Sequence, residues 1–249
     1  MANNYDFKNG KHRIESILDN ALEIIEQDKV PNDDSFTFSN GYYCWVTAIF
    51  VDIRNSSALF GDEDKEKVAK VIKSFTSETI EILRNNDNLR EIGIRGDCVY
   101  AIYTSPMKRD EYELAEKTFY INTFMKMLNE LLLGRNLPEV KIGIGMSTSK
   151  ELVIKAGRKD VGINSKVWIG KAVARASKFS SFGNKNGIAP LIFSKSSYDQ
   201  FISFLEEKNR KSKPKEWFNK HYDEQLGTYY SANIIKTEFN SWILDGMKD

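Results

Sequence analysis

Two aspartates stand where strongly apolar runs give way to polar turns. Asp52 lies in Ala48-Ile49-Phe50-Val51-Asp52-Ile53-Arg54-Asn55-Ser56-Ser57, and Asp97 in Ile94-Arg95-Gly96-Asp97-Cys98-Val99-Tyr100-Ala101. Their separation, 97 − 52 = 45 residues, accommodates a helix and a returning strand that would set the two carboxylates side by side. Carboxylates about 4 Å apart in a medium of effective dielectric near 20 repel by roughly 4 kcal/mol. One of them then stays protonated unless a cation lies between them, and a divalent metal carrying a triphosphate supplies that cation. Spacing alone leaves a second reading open, in which both are turn or cap aspartates at strand ends.

The elements that must hold these residues are legible in the hydrophobic period. His12 to Asp28 repeats apolar residues at Ile14, Ile17, Leu18, Ala21, Leu22 and Ile25 and predicts a helix, stopped at Val30-Pro31. Tyr42 to Ile53 reads as a strand, Asp62 to Leu83 as a helix, and Leu89 to Ile94 with Cys98 to Tyr103 as a hairpin whose tip carries Asp97. Glu111 to Leu133 predicts a second long helix. Val140 to Met146 and Leu152 to Ala156 predict two strands joined by a turn at Thr148 to Lys150. Lys166 to Phe182 reads as helix, Leu191 to Phe193 as strand, Ser196 to Glu206 as helix, and Thr228 to Lys236 as a β-like tail. The order, with its antiparallel hairpins, predicts an α+β fold with a ferredoxin-like core, an N-terminal helix and a C-terminal β extension. The boundaries expected are 1–40 for the helix and linker and 41–249 for one domain, with its core over about 41–200 and an extension over 201–249.

Composition narrows the chemistry. With 36 Lys and Arg against 35 Asp and Glu, the net charge of +1 gives no whole-molecule field toward nucleic acid or a membrane surface. The basic cluster Lys208, Arg210, Lys211, Lys213 and Lys215 lacks interleaved aromatics and reads as a solvated loop. Two histidines, His12 and His221, make histidine-based zinc or Ser/His chemistry a poor fit. Cys44 and Cys98 sit in apolar runs and are expected to be reduced and buried, which with the absence of a leader or membrane span predicts a cytoplasmic protein.

Four motifs occur in the order seen in class III nucleotide cyclases. They are Phe50-Val51-Asp52-Ile53-Arg54-Asn55-Ser56-Ser57, Arg95-Gly96-Asp97-Cys98-Val99-Tyr100-Ala101, Lys141-Ile142-Gly143-Ile144-Gly145-Met146-Ser147, and Trp168-Ile169-Gly170-Lys171-Ala172-Val173-Ala174-Arg175-Ala176-Ser177-Lys178. Over roughly Gly41 to Gln200 the chain resembles that family. The resemblance implies two divalent ions, Mg²⁺ or Mn²⁺, held by Asp52, the carbonyl of Ile53 and Asp97. It also implies a turn over Asn55 to Phe60 that presents backbone N–H groups to phosphate, and a head-to-tail homodimer with composite sites in which Lys178 acts across the interface on the triphosphate.

The departures from the family are equally specific. Where purine cyclases carry their base-reading side chains this chain has Gly93 and Val167, and where the later helix supplies an Asn and an Arg it has Ala174 and Lys178. Neither Gly93 nor Val167 can hydrogen-bond a base edge through its side chain. Lys178 keeps a charge without the bidentate fork, and Ala174 removes a ribose-positioning contact. This combination resembles the pyrimidine cyclases of the bacterial antiphage systems called Pycsar, lyases that form 3′,5′-cyclic UMP or CMP. That resemblance implies UTP as substrate with CTP its close rival, and a cyclic nucleotide messenger acting on a separate effector. Phe50 and Arg95, which flank the aspartates, are the candidates for shaping the base pocket; a core aromatic and an exposed hairpin cation are their plainer readings. Two alternatives remain, a purine cyclase using backbone groups at Gly93 and a silent module that binds nucleotide without turnover. An RNA-binding domain fits poorly, because paired aspartates would repel a phosphate backbone.

Overall fold

Strand β2 (Asn40–Ile53) is the axis of the molecule in the computed structural model, which describes residues 5–56, 64–158, 162–208 and 213–248. It pairs antiparallel with β4 (Cys98–Thr104) on one side and with β5 (Ile142–Arg158) on the other. β3 (Leu89–Arg95) closes the hairpin onto β4. Beyond β5 come β7 (Leu191–Ser194), β9 (Gly227–Ala232) and β8 (Asn219–Asp223), so the sheet runs β3-β4-β2-β5-β7-β9-β8. A short β1 (Glu23–Glu26) lies parallel to the start of β2, and β6 (Ile163–Ile169) folds back along β5 as an arm.

Both faces of β2 are buried over its middle, which is why Val46 to Val51 shows no alternation with polar residues apart from Thr47. Ile49, Val51 and Ile53 turn to the larger core, built with α2 (Lys65–Arg84), α3 (Lys108–Leu133) and α5 (Lys195–Lys208). α2 starts on an Asp64 cap and buries Val68, Val71, Phe75 and Leu83 at helical spacing. Ala48 and Phe50 turn to the opposite face, where α4 (Ala172–Ser180) packs through Ala172 and Ala176. That approach needs glycine in β5. A Cβ on Gly145 would stand 2.0 Å from the Ala176 carbonyl oxygen, and one on Gly143 would stand 2.1 Å from that of Ser180.

Three expected elements differ. The N-terminal helix is α1 (Phe7–Asp19), not His12 to Asp28; Leu22 precedes β1 and Ile25 lies within it, because pairing with β2 overrides a helical period that α1 itself leaves largely exposed. The expected turn at Thr148 to Lys150 is absent: β5 is one unbroken strand of 17 residues, since those three residues pair with Trp45 to Thr47. The first part of Lys166 to Phe182 is β6, and the helix begins only at Ala172. In the tail, β8 precedes β9, and Trp242 lies in α6 (Thr237–Leu244). Cys44 is buried and free, whereas Cys98 is half-buried rather than buried. Within the basic loop Lys213 pairs with Glu216 and Lys215 with Glu206, as a solvated loop would; Arg210 and Lys211 lie outside the described residues. No described helix is long and apolar enough to cross a membrane.

Candidate active site

Strand register alone assembles the site. Asp52 pairs with Cys98, and Cys98 pairs with Arg95, so these three stand in one row across β2, β4 and β3. Two residues deeper the row is Phe50, Tyr100 and Gly93, and two deeper again it is Ala48, Ile102 and Glu91. The period of two puts all nine residues on the face that α4 shares. Asp97 sits in the two-residue turn joining Arg95 to Cys98, where Gly96 takes a φ of +65° that suits glycine. The two aspartates are therefore neighbours, as the sequence spacing predicts, and the Asp97 charge is one of the influences that push the Asp52 carboxyl upward.

Burial is the largest of those influences on Asp52, whose side chain keeps 26% of its exposure. Arg54 and Lys185 act in the opposite direction. The Arg54 guanidinium, almost wholly buried, is ion-paired to Asp52 Oδ2, and its Nη1 donates 2.7 Å to the carbonyl oxygen of Ser181 just past α4. One arginine thus ties a carboxylate of the strand to the end of the helix. Asp52, Asp97 and the Ile53 carbonyl would offer the hard oxygen donors that Mg²⁺ or Mn²⁺ takes, with one oxygen of Asp52 already paired to Arg54. Burial also pushes the neighbouring Cys98 thiol up to about 12.

The remaining candidates are distributed unevenly. Arg95 is exposed in the same row as Asp52. Phe50 is 8% exposed and stacks on Tyr100 with centroids 5.3 Å apart, so the half-buried Tyr100 ring is the aromatic surface presented here. Lys178 and Ala174 lie on the exposed side of α4, one turn apart. The turn expected over Asn55 to Phe60 lies partly outside the described residues; within them Asn55 takes a left-handed φ of 54°.

Reading the sequence missed a polar triad beside Gly93. The Glu91 carboxylate accepts from Tyr100 Oη at 2.9 Å and from Trp168 Nε1 at 2.8 Å. Tyr100 fills the space over Gly93, where a Cβ would stand 2.8 Å from its hydroxyl oxygen. The Gly93 and Tyr100 pairing follows from the hairpin register and could have been found; Trp168 reaches Glu91 only because β6 folds back, and no local pattern announces that. Lys185, in the loop after α4, was missed for the same reason.

Comparison with known proteins gives concordant results. The family described as "Adenylate and Guanylate cyclase catalytic domain" matches residues 39–203. A uridylate cyclase from Treponema porcinum is 48% identical over 98% of this chain and 83% of its own length. A second uridylate cyclase, from Gulbenkiania mobilis, is 29% identical over 96% of this chain and 95% of its own. Among solved structures, the adenylyl cyclase CyaB from P. aeruginosa superposes with a TM-score of 0.60 at 17% identity, over 77% of this chain and 95% of that one, which establishes likeness of fold.

Proposed function

This chain belongs to the class III nucleotide cyclases, the family of the adenylate and guanylate cyclase catalytic domain, and from that premise we propose that it converts UTP to 3′,5′-cyclic UMP and pyrophosphate. The observation that carries the pyrimidine reading is Gly93 beneath Tyr100. A side chain at 93 would meet the Tyr100 ring, which is held by its bond to Glu91 and its stack on Phe50. The two uridylate cyclase relatives favour UTP over CTP.

In the proposed reaction the ribose 3′ oxygen attacks the α-phosphorus, the bond to the pyrophosphate oxygen breaks, and the 3′ hydroxyl proton passes to solvent. Asp52, the Ile53 carbonyl and Asp97 would hold two divalent ions, whose charge would neutralise the triphosphate and favour loss of that proton. Arg54 fixes the rotamer of Asp52, and Arg95 offers positive charge at the mouth of the site. Lys178, on the exposed side of α4, serves the site of a second copy in a homodimer with composite sites. The cyclic product acts in the cytoplasm as a messenger to a separate effector in antiphage defence. Ala174 and Lys178 in place of the usual Asn and Arg favour a second reading, a module that binds triphosphate without turnover.

Incubation of the purified protein with Mn²⁺ and each of ATP, GTP, CTP and UTP, with products identified by mass, tests the proposal. Cyclic UMP with pyrophosphate is expected. Cyclic CMP alone reassigns the base, a cyclic purine nucleotide overturns the pyrimidine reading, and tight binding without product establishes the silent module.

A further inference from the structure

Helix α4 carries Lys178, and nothing in its own sequence fixes where it begins. It has nine residues, too few to be stable alone. Its first turn contains no acidic residue, and Lys171 at the N-cap position makes no side-chain cap. The missing acceptor comes from the sheet. Glu151 of β5, with no exposed surface, turns its carboxylate under the start of the helix, where Oε1 accepts from Ala172 N at 2.7 Å and from Ser149 Oγ at 2.6 Å.

The chain is shaped around that carboxylate. Leu152 pairs with Ile169, so Glu151 lies level with Gly170, the residue at which the backbone leaves β6 to enter α4. A Cβ on Gly170 would stand 2.4 Å from Glu151 Oε1 and 2.7 Å from Oε2. Oε2 is itself buried and has no partner among the described residues. A buried carboxylate oxygen left unpaired costs stability, which offsets part of what the bond from Ala172 N contributes. The helix it anchors is bonded at its far end by Arg54, the partner of Asp52, through the Ser181 carbonyl oxygen.

We infer that Glu151 is a positioning residue, which fixes the N-terminal end of α4 and thereby the reach of Lys178 to the triphosphate. Its kinetic consequence rests on the cyclase reading; the anchoring itself does not. Lys178 lies six residues beyond Ala172, about 9 Å along the helix axis. A swing of the helix start moves its ammonium without touching any group that contacts substrate.

The test compares the full-length wild type with Glu151→Ala, Glu151→Gln and Gly170→Ala. Amide hydrogen exchange across 172–180 is measured alongside kcat and KM for UTP with Mn²⁺. Glu151→Ala is expected to speed exchange in the first turn of α4 by about tenfold, the loss of a cap. kcat should fall by about tenfold or more, with KM changing less than kcat, because a displaced group near the reaction loses transition-state contact first. Glu151→Gln keeps the Oε1 acceptor and is expected to restore both. Gly170→Ala pushes a methyl group against the same carboxylate and carries the test if Glu151→Ala does not fold. Wild-type exchange across α4 in Glu151→Ala, a rise in KM with kcat unchanged, or a Gln variant as impaired as the Ala variant each overturns the inference. If the wild type makes no cyclic product, the cyclase reading fails by itself, and the exchange result alone upholds or overturns the anchor.

Discussion

Replacing Glu111 with glutamine should remove a large part of the pH dependence of stability. This glutamate projects from α3 into a sealed cluster of hydroxyls, where its two oxygens accept from Thr47 and Thr148, and Ser105 and Ser197 complete the shell. Burial pushes its carboxyl up from 4.5 to about 7, against the opposing pull of those hydroxyl donors. Below pH 4.5 the residue is protonated in both folded and unfolded chains. Between 4.5 and 7 the unfolded chain releases the proton while the folded chain retains it, so stability falls as pH rises; above 7 the whole penalty is in place. At about 1.4 kcal/mol per tenfold in proton affinity, the interval amounts to about 3 kcal/mol, of which roughly 2.5 kcal/mol is lost between pH 5 and pH 8. Glutamine resembles the protonated acid: it accepts from one threonine and donates to the other, whose hydroxyl turns to a serine. Urea unfolding of both proteins at pH 5 and pH 8 reads the difference. With a slope near 2–3 kcal/mol per molar urea, the wild type should lose about 1 M more of its midpoint than Glu111→Gln. Parallel midpoints from pH 5 to pH 8 would refute the reasoning and mean that the carboxylate is ionised in its hydroxyl cage throughout.

Other perturbations address the site directly. Asp97→Asn should abolish cyclic nucleotide formation while leaving the circular dichroism spectrum and unfolding midpoint near wild type; retained turnover would sink the two-metal assignment. Mixing inactive Asp52→Ala with inactive Lys178→Ala should restore up to about a quarter of wild-type activity if sites are shared between copies, by the symmetry of the dimer. No recovery despite subunit exchange would place each site within one chain. Gly93→Lys, which forces a side chain into the Tyr100 hydroxyl, should lower turnover of the pyrimidine substrate by tenfold or more, on the order of 1.4 kcal/mol; unchanged kinetics would show that Tyr100 does not border the base. Gly145→Ala should displace α4 and cost about 1–3 kcal/mol of stability, since the new methyl group meets backbone at 2.0 Å rather than a movable side chain.

The sequence by itself determined the features that depend on local period and turn chemistry. The apolar run into Asp52, the tight Gly96-Asp97 turn and the amphipathic period of α2 are each written in a short window, and a hairpin register follows directly from its turn. Proximity of Asp52 and Asp97 was therefore legible, together with the cyclase resemblance. What the period could not decide was the outcome where two structures compete for the same residues. Ile25 has a helical spacing and becomes strand because β2 offers it a ladder, and Lys166 to Ile169 becomes strand because β5 does. The unbroken β5, the return of Trp168 to Glu91, the bond from Arg54 to the end of α4, and the Glu151 carboxylate beneath its start join residues 21 to 127 positions apart. Such contacts have no local signature, because a side chain's partner is chosen by the packing of whole elements. The sequence supplies the candidate site groups and the turns that carry them; only the tertiary structure decides which buried polar groups hold them in place.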